Sequence, residues 1–170
     1  LMDYPETEIK GNHTKKIDPA KRTCVYSVFA SPASLVNQLG EISPVFYETD
    51  RIELGRRLDY SRWMSFVEMS ESTRFNQFLH SAAPILELLD KKQQSTFDHL
   101  VQTYKTNDRI KGRFADELKT WWRSLNAQIP KQLHQLFQQN YEAILLSEYF
   151  MQARKTVYNC LPPYIYISHK

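Results

Sequence analysis

Glycine is scarce in this chain: among 170 residues only positions 11, 40, 55 and 112 are Gly. Neither a Gly-rich dinucleotide turn nor a phosphate-cradling loop can be assembled from them, which excludes the nucleotide enzymes of those classes. Cysteine is scarcer still. Cys24 and Cys160 are far apart in sequence, and so sparse a pair reads as free, reduced thiols rather than a disulfide framework. Long apolar runs are missing as well: the run Ala143–Leu146 is four residues long, where a bilayer span needs ~18. No transmembrane helix and no membrane partner are expected. Leu1 to Pro5 show no basic start leading into an apolar core, so no secretory leader is read there, and cytoplasm is the expected location. His13, His80, His99, His134 and His169 are scattered without paired His or Cys spacing. Metal binding needs several ligands converging on one ion, so no metal and no cofactor are expected.

What the chain does contain is ample for folding. It is 42% hydrophobic and 24% charged, with 22 Lys and Arg against 19 Asp and Glu, and a chain of this size buries roughly 70% of its unfolded surface. The expected fold class is mainly α, a single helical domain over residues 23–170. It has five or six helices and a small two- or three-stranded β element near the N- and C-termini. Residues 1–22, rich in charge with Pro5, Gly11 and Pro19, read as an irregular arm. Thr23 to Phe29 is dense in β-branched and aromatic residues and predicts a strand partly buried on both faces. Ser31 as cap, Pro32 at the first helical position and Gly40 as left-handed terminator then bracket a helix. Val45 to Glu48 reads as extended, whereas Asp50 to Tyr60 gives no clear conformation.

Beyond Ser61 a 3.6-residue period dominates. Trp63, Phe66 and Val67 fit one helical face, and Phe75, Phe78, Leu79, Ala82 and Leu86 form a second stripe in which Pro84 imposes a bend or restart. Ser95 and Asp98 suit a capping box for a helix running to about residue 106. Ile110, Phe114, Leu118, Trp121 or Trp122, and Leu125 mark another over 108–126. A final helix from Pro130 to about Cys160 carries an apolar stripe wider than a surface helix needs, so it projects or breaks near Ser147. Tyr164 to Ser168 alternates strand formers and is read as a strand beside residues 23–29.

Function is read from two places where cations and aromatic rings interleave: Arg56, Arg57, Arg62 and Trp63, then Lys119, Trp121, Trp122 and Arg123. A planar cation beside a broad amphipathic ring is the chemistry of protein-interface hot spots. The same pairing stacks on bases and holds phosphate. Adjacent helical residues point ~100° apart, so one of Trp121 and Trp122 is expected in the core and the other at its boundary. The resulting expectation is a non-enzymatic interaction or regulatory protein, an adaptor or oligomer, binding a protein partner or a second copy of itself through these helical faces. Nucleic acid is the alternative partner, with helices 95–106 and 108–126 as a helix-turn-helix, although Asp108, Asp116 and Glu117 would repel phosphate. A third reading comes from Arg74 and His80. Their spacing resembles the Arg–His pair of HEPN-type ribonucleases, and that resemblance implies RNA cleavage by these two residues. It covers two positions only, a pattern that this composition supplies about once by chance.

Overall fold

The computed structural model describes residues 18–161. These residues form five α-helices and a three-stranded antiparallel sheet in the order β1-β2-β3. The strands are β1 (Thr23–Ala30), β2 (Arg51–Arg57) and β3 (Arg62–Phe66), and the helices are α1 (Ala33–Gly40), α2 (Phe75–Leu86), α3 (Lys91–Tyr104), α4 (Gly112–Ser124) and α5 (His134–Cys160). Two compact units result. One comprises residues 18–69 together with 154–161, and the other comprises Ser70–Ala153.

In the first unit the sheet is set by period-two burial. Ile52, Met64 and Phe66 are buried and share a face with Leu54, because Ile52 pairs with Phe66 and Leu54 with Met64. Leu35 and Leu39 of α1, with Phe46, complete the buried set, and the Phe46 and Phe66 rings lie 5.3 Å apart. Short windows make helix and strand periods hard to separate. This explains the first correction: Trp63, Phe66 and Val67 belong to a strand and its exit, not to a helix. Val45 to Glu48 is likewise not extended. Pro44–Glu48 is a 3-10 turn, for which proline presets the backbone angle, and it delivers Phe46 to the core. The strands therefore lie in the N-terminal half, and the strand expected at Tyr164 to Ser168 lies outside the described residues.

The punctuation of α1 also differs from expectation. Pro32 itself is the N-cap and no side chain caps the helix, while the Ser31 hydroxyl has no partner. Gly40 is the last helical residue, not a left-handed terminator. A side chain there would meet the Tyr47 ring at 2.3 Å, so glycine serves close approach. Strand β1 is exposed along nearly its whole length, in contrast to the partial burial expected.

The second unit is helical around Phe78, Ile85, Ile110, Phe114, Leu118, Trp122 and Ile144, all at most 2% exposed. Pro84 falls in the last turn of α2, which stays one element to Leu86. Helix α3 begins four residues before Ser95. Its capping box is Asp90 with Gln93, a reciprocal pair that satisfies two otherwise orphaned backbone donors. Bonds from Phe75 N to Asp108 O (2.9 Å) and Ile110 N to Thr73 O (2.8 Å) tie the entries of α2 and α4 together. Buried Asn140 accepts from Ser81 Oγ at 2.7 Å and donates to Leu136 O at 2.8 Å, so its amide is satisfied. Helix α5 is one uninterrupted element of 27 residues, about 40 Å long at ~1.5 Å per residue. It does not break at Ser147. Its residues up to Ala153 belong to one unit and the remainder to the other.

Candidate interaction surface

The outer face of the sheet and the β2–β3 hairpin hold the most distinctive surface of the first unit. Tyr26, Gly55 and Trp63 lie side by side on three neighbouring strands. A Cβ on Gly55 would stand 2.3–2.5 Å from three atoms of the Trp63 indole, so the ring lies flat on a strand backbone that only glycine leaves bare. Trp63 Nε1 donates to Thr23 Oγ1 at 2.9 Å, and the Tyr26 ring sits 6.5 Å away at 31°. Trp63 is half-buried, while Tyr26 is 62% exposed. The indole is thus held beneath by the Gly55 backbone and at its edge by Thr23, with the exposed Tyr26 ring beside it.

Glu53 and Arg57 flank Gly55 along β2 on the platform's face. By strand alternation Arg57 shares the outer face, whereas Arg56 and Arg62 pair directly on the opposite one. Like charges directly opposed destabilise a sheet. Arg56 is steadied by Nε donating to Tyr60 O at 3.3 Å and by its guanidinium lying 5.4 Å from the Tyr60 ring centre. Arg57 donates to Ser61 Oγ at 3.3 Å. Asp59 accepts from Ser61 Oγ at 2.6 Å and Ser61 N at 3.0 Å. Those bonds, reinforced by Arg57, hold its carboxyl below the usual carboxylate range. Tyr60 occupies left-handed backbone space (φ 65°), a conformation costly for an aromatic residue.

The sequence reading placed eight residues at the interface, and their fates divide. Arg56, Arg57, Arg62 and Trp63 come together on the hairpin. Of the second group, Trp121 and Trp122 are 7% and 0% exposed, so the expected division between core and boundary gives way to two core rings. Trp122 stacks on Phe137 at 4.9 Å and 11° and meets Phe78 edge-on at 5.4 Å, while its Nε1 donates to Phe137 O at 3.2 Å. Trp121 stacks on Phe97 at 4.8 Å. Both fit because α4 is covered from more than one direction. Lys119 bonds Glu148 and, at 3.3 Å, Asp116, and the Glu148 bond chiefly raises its pKa. Arg123 lies over the Tyr141 ring at 5.3 Å. These cations are engaged within their own unit.

Sequence reasoning missed Tyr26 and Tyr60. Their signal was the alternation of Ile52 and Leu54 with Met64 and Phe66 around the turn Leu58–Ser61, which identifies a hairpin and sets Gly55 opposite Trp63. Arg74 and His80 are both exposed. Arg74 is the N-cap of α2, and a six-residue separation turns His80 about 120° from it around the helix axis, so they do not share a face. Among the described residues no group of three or more His, Cys, Asp or Glu is placed to hold a metal ion, and no helix is long and apolar enough to cross a membrane. Cys24 and Cys160 are free thiols. Comparison with protein-family models, with curated proteins and with solved structures gives no match for this chain.

Proposed function

We propose that the protein is a non-enzymatic interaction protein that docks a protein partner on the Tyr26–Trp63 platform and the flanking Arg57. The observation that carries this reading is the indole of Trp63, laid on bare Gly55 and pinned to Thr23 beside an exposed Tyr26. A rigid aromatic platform loses little entropy on binding, which is what interface anchors require. Arg57, on the platform's face, complements a partner carboxylate, since a guanidinium fork binds carboxylate in bidentate fashion. The docking surface thus moves from the helical faces to the sheet, because the helical tryptophans are buried.

A nucleic-acid reading draws on the same exposed ring and cations, because bases stack on such platforms. Salt separates the two. Phosphate contacts make log affinity fall steeply with log salt, in proportion to the phosphates neutralised. The experiment places a photo-crosslinking phenylalanine analogue at position 26 in the native host, with position 92 on α3 as control, and identifies the captured chain. The purified partner is then measured against the wild-type protein and Trp63→Ala. Position-specific capture with affinity lost in Trp63→Ala and a shallow salt slope supports the proposal. Equal capture at both positions, or affinity indifferent to Trp63, removes it.

A further inference from the structure

The long edge of β1 that faces away from β2 lacks the usual guards. Edge strands are commonly kept from unwanted pairing by charge, proline or shortness, yet β1 runs for eight residues, Thr-Cys-Val-Tyr-Ser-Val-Phe-Ala, with none of these. It exposes Val25, Tyr26, Val28 and Phe29 at 57%, 62%, 47% and 50%. Among the described residues no strand pairs with this edge. The ladder to β2 decides which backbone groups are open there. Ser31 N donates to Asp50 O at 2.8 Å, and the pairing continues through Phe29 with Ile52, Ser27 with Leu54 and Val25 with Arg56. Hydrogen-bonded pairs alternate along an antiparallel ladder, so these odd-numbered residues turn N–H and C=O to β2. Tyr26, Val28 and Ala30 turn theirs to the open edge. Side chains alternate too: Tyr26 and Val28 lie on the platform's face, and Val25, Ser27 and Phe29 on the other.

These two alternations select the occupant. A second β1, related by a two-fold axis normal to the sheet, meets the first antiparallel and with the same face upward, so only residues of like face oppose each other. With the axis through Ser27, Val25 stands opposite Phe29 of the second copy and Tyr26 opposite its Val28, each pairing occurring twice by symmetry. All four exposed apolar side chains are thereby matched with one another. Each Tyr26–Val28 pair joins residues whose backbone groups are open, and such a pair exchanges two hydrogen bonds. No charge meets a like charge. Moving the axis to Tyr26 sets Val25 against Ser27 and Phe29 against Thr23, and moving it to Val28 sets Val25 against Ser31, so the match belongs to the Ser27 register.

We propose that β1 of one copy pairs with β1 of a second across this edge, centred on Ser27, to form a dimer with one continuous six-stranded sheet. At the exposures given, the four side chains of one copy present about 400 Å². With the edge backbone, two copies bury up to about 1,000 Å², the low end of specific interfaces, which suits a dimer of micromolar strength. The inference concerns the edge of β1 and does not rest on the docking reading of the outer face, although the two-fold axis leaves both Tyr26–Trp63 platforms open on the same side of the sheet.

The test reads both the dimer and its register. In a background of Cys24→Ser and Cys160→Ser, Ser27→Cys is compared with Val28→Cys under mild oxidation on a non-reducing gel. Ser27 faces its own counterpart at a non-hydrogen-bonded position, where opposed Cα atoms stand about 4.5 Å apart, a separation that a disulfide bridges. Val28 is displaced from its counterpart by two residues along the strand, more than about 7 Å and beyond that reach. Ser27→Cys is therefore expected to form a covalent dimer at least about tenfold faster. Sedimentation of the unaltered chain is expected to show a monomer–dimer equilibrium between about 1 and 300 µM. Val28→Pro, which removes an outward donor and leaves the bonds to β2 in place, is expected to remain monomeric. Circular dichroism reports whether that variant folds; if it does not, Ser27→Lys, which opposes two like charges across the axis, takes its place. An unaltered chain that stays monomeric throughout the range overturns the proposal. So does a dimer indifferent to these edge variants, or a Ser27→Cys protein that crosslinks no faster than Val28→Cys, either of which moves the contact to another surface or register.

Discussion

Replacing Gly55 by Ala tests whether the platform is built as described, because the sign of the effect depends on Trp63. The added carbon would stand 2.3–2.5 Å from the indole, where non-bonded carbons settle at about 3.5–4.0 Å, so the ring must retreat by roughly 1 Å. That retreat stretches the 2.9 Å bond to Thr23 past usable length, a loss of about 0.5–1.5 kcal/mol. It also weakens the contact with Tyr26, whose worth at an exposed site is about 0.5 kcal/mol. Uncovering the ring face costs about 1 kcal/mol more. Against these stands a gain of about 0.4–1 kcal/mol from the stiffer unfolded chain, and Gly55 has no left-handed φ to oppose it. The net expectation is a destabilisation of about 1–2 kcal/mol. In a Trp63→Ala background the clash is gone, and Gly55→Ala becomes neutral or stabilising by up to about 1 kcal/mol. Urea unfolding followed by circular dichroism measures all four corners of the cycle, with exchange of β2 amides assigning the loss to the sheet. Equal destabilisation in both backgrounds would refute the stacked geometry.

Three further outcomes are expected. Trp122→Ala removes a ring at 0% exposure and destabilises the second unit by about 3–5 kcal/mol, whereas Trp122→Phe, which forfeits chiefly the bond to Phe137 O, costs about 1–3 kcal/mol by the same denaturation assay. Tyr60→Gly relieves the left-handed backbone at φ 65° and raises stability by up to about 1 kcal/mol in the same urea assay, while partner affinity holds, because Arg56, which rests on that ring, lies on the face opposite the platform. Glu117 accepts from the Tyr104 hydroxyl at 2.8 Å and from Arg113 Nε at 2.9 Å, and these bonds hold its carboxyl below the ordinary value. A carboxyl depressed in the folded state contributes stability above its unfolded pKa and loses it as pH falls through the folded one. An NMR titration should therefore place Glu117 below the usual carboxylate range, and Glu117→Gln should flatten the acid limb of the stability curve. A Glu117 midpoint at or above the ordinary value would contradict the bonding.

The helical unit was largely legible because its stripes are long. Phe75, Phe78, Ala82, Phe114, Leu118 and Leu125 recur over several turns, and a 3.6-residue period becomes distinctive only over that length. The sheet was less legible. β3 has five residues, so Trp63 and Phe66 satisfy a helical spacing as readily as Met64 and Phe66 satisfy a strand. Tertiary pairing resolved what local pattern left ambiguous. Trp121 and Trp122 illustrate a different limit: side-by-side rings both enter a core when Phe97 and Phe137 cover different sides of one helix, and no single-helix pattern contains that information. The four residues of the hairpin were singled out by composition alone, since arginine beside tryptophan is conspicuous wherever it falls. Tyr26 needed the strand register to be seen as their neighbour.

The proposed docking surface lies on the sheet and not on the helices, and one comparison separates these. Affinity for the crosslinked partner is measured by calorimetry for Trp63→Ala and for the double variant Lys119→Ala, Arg123→Ala. A platform anchor is expected to cost Trp63→Ala at least about 2 kcal/mol, roughly thirtyfold, while the helical double variant stays within about twofold of wild type. A large loss in the helical variant with Trp63→Ala unaffected would contradict it.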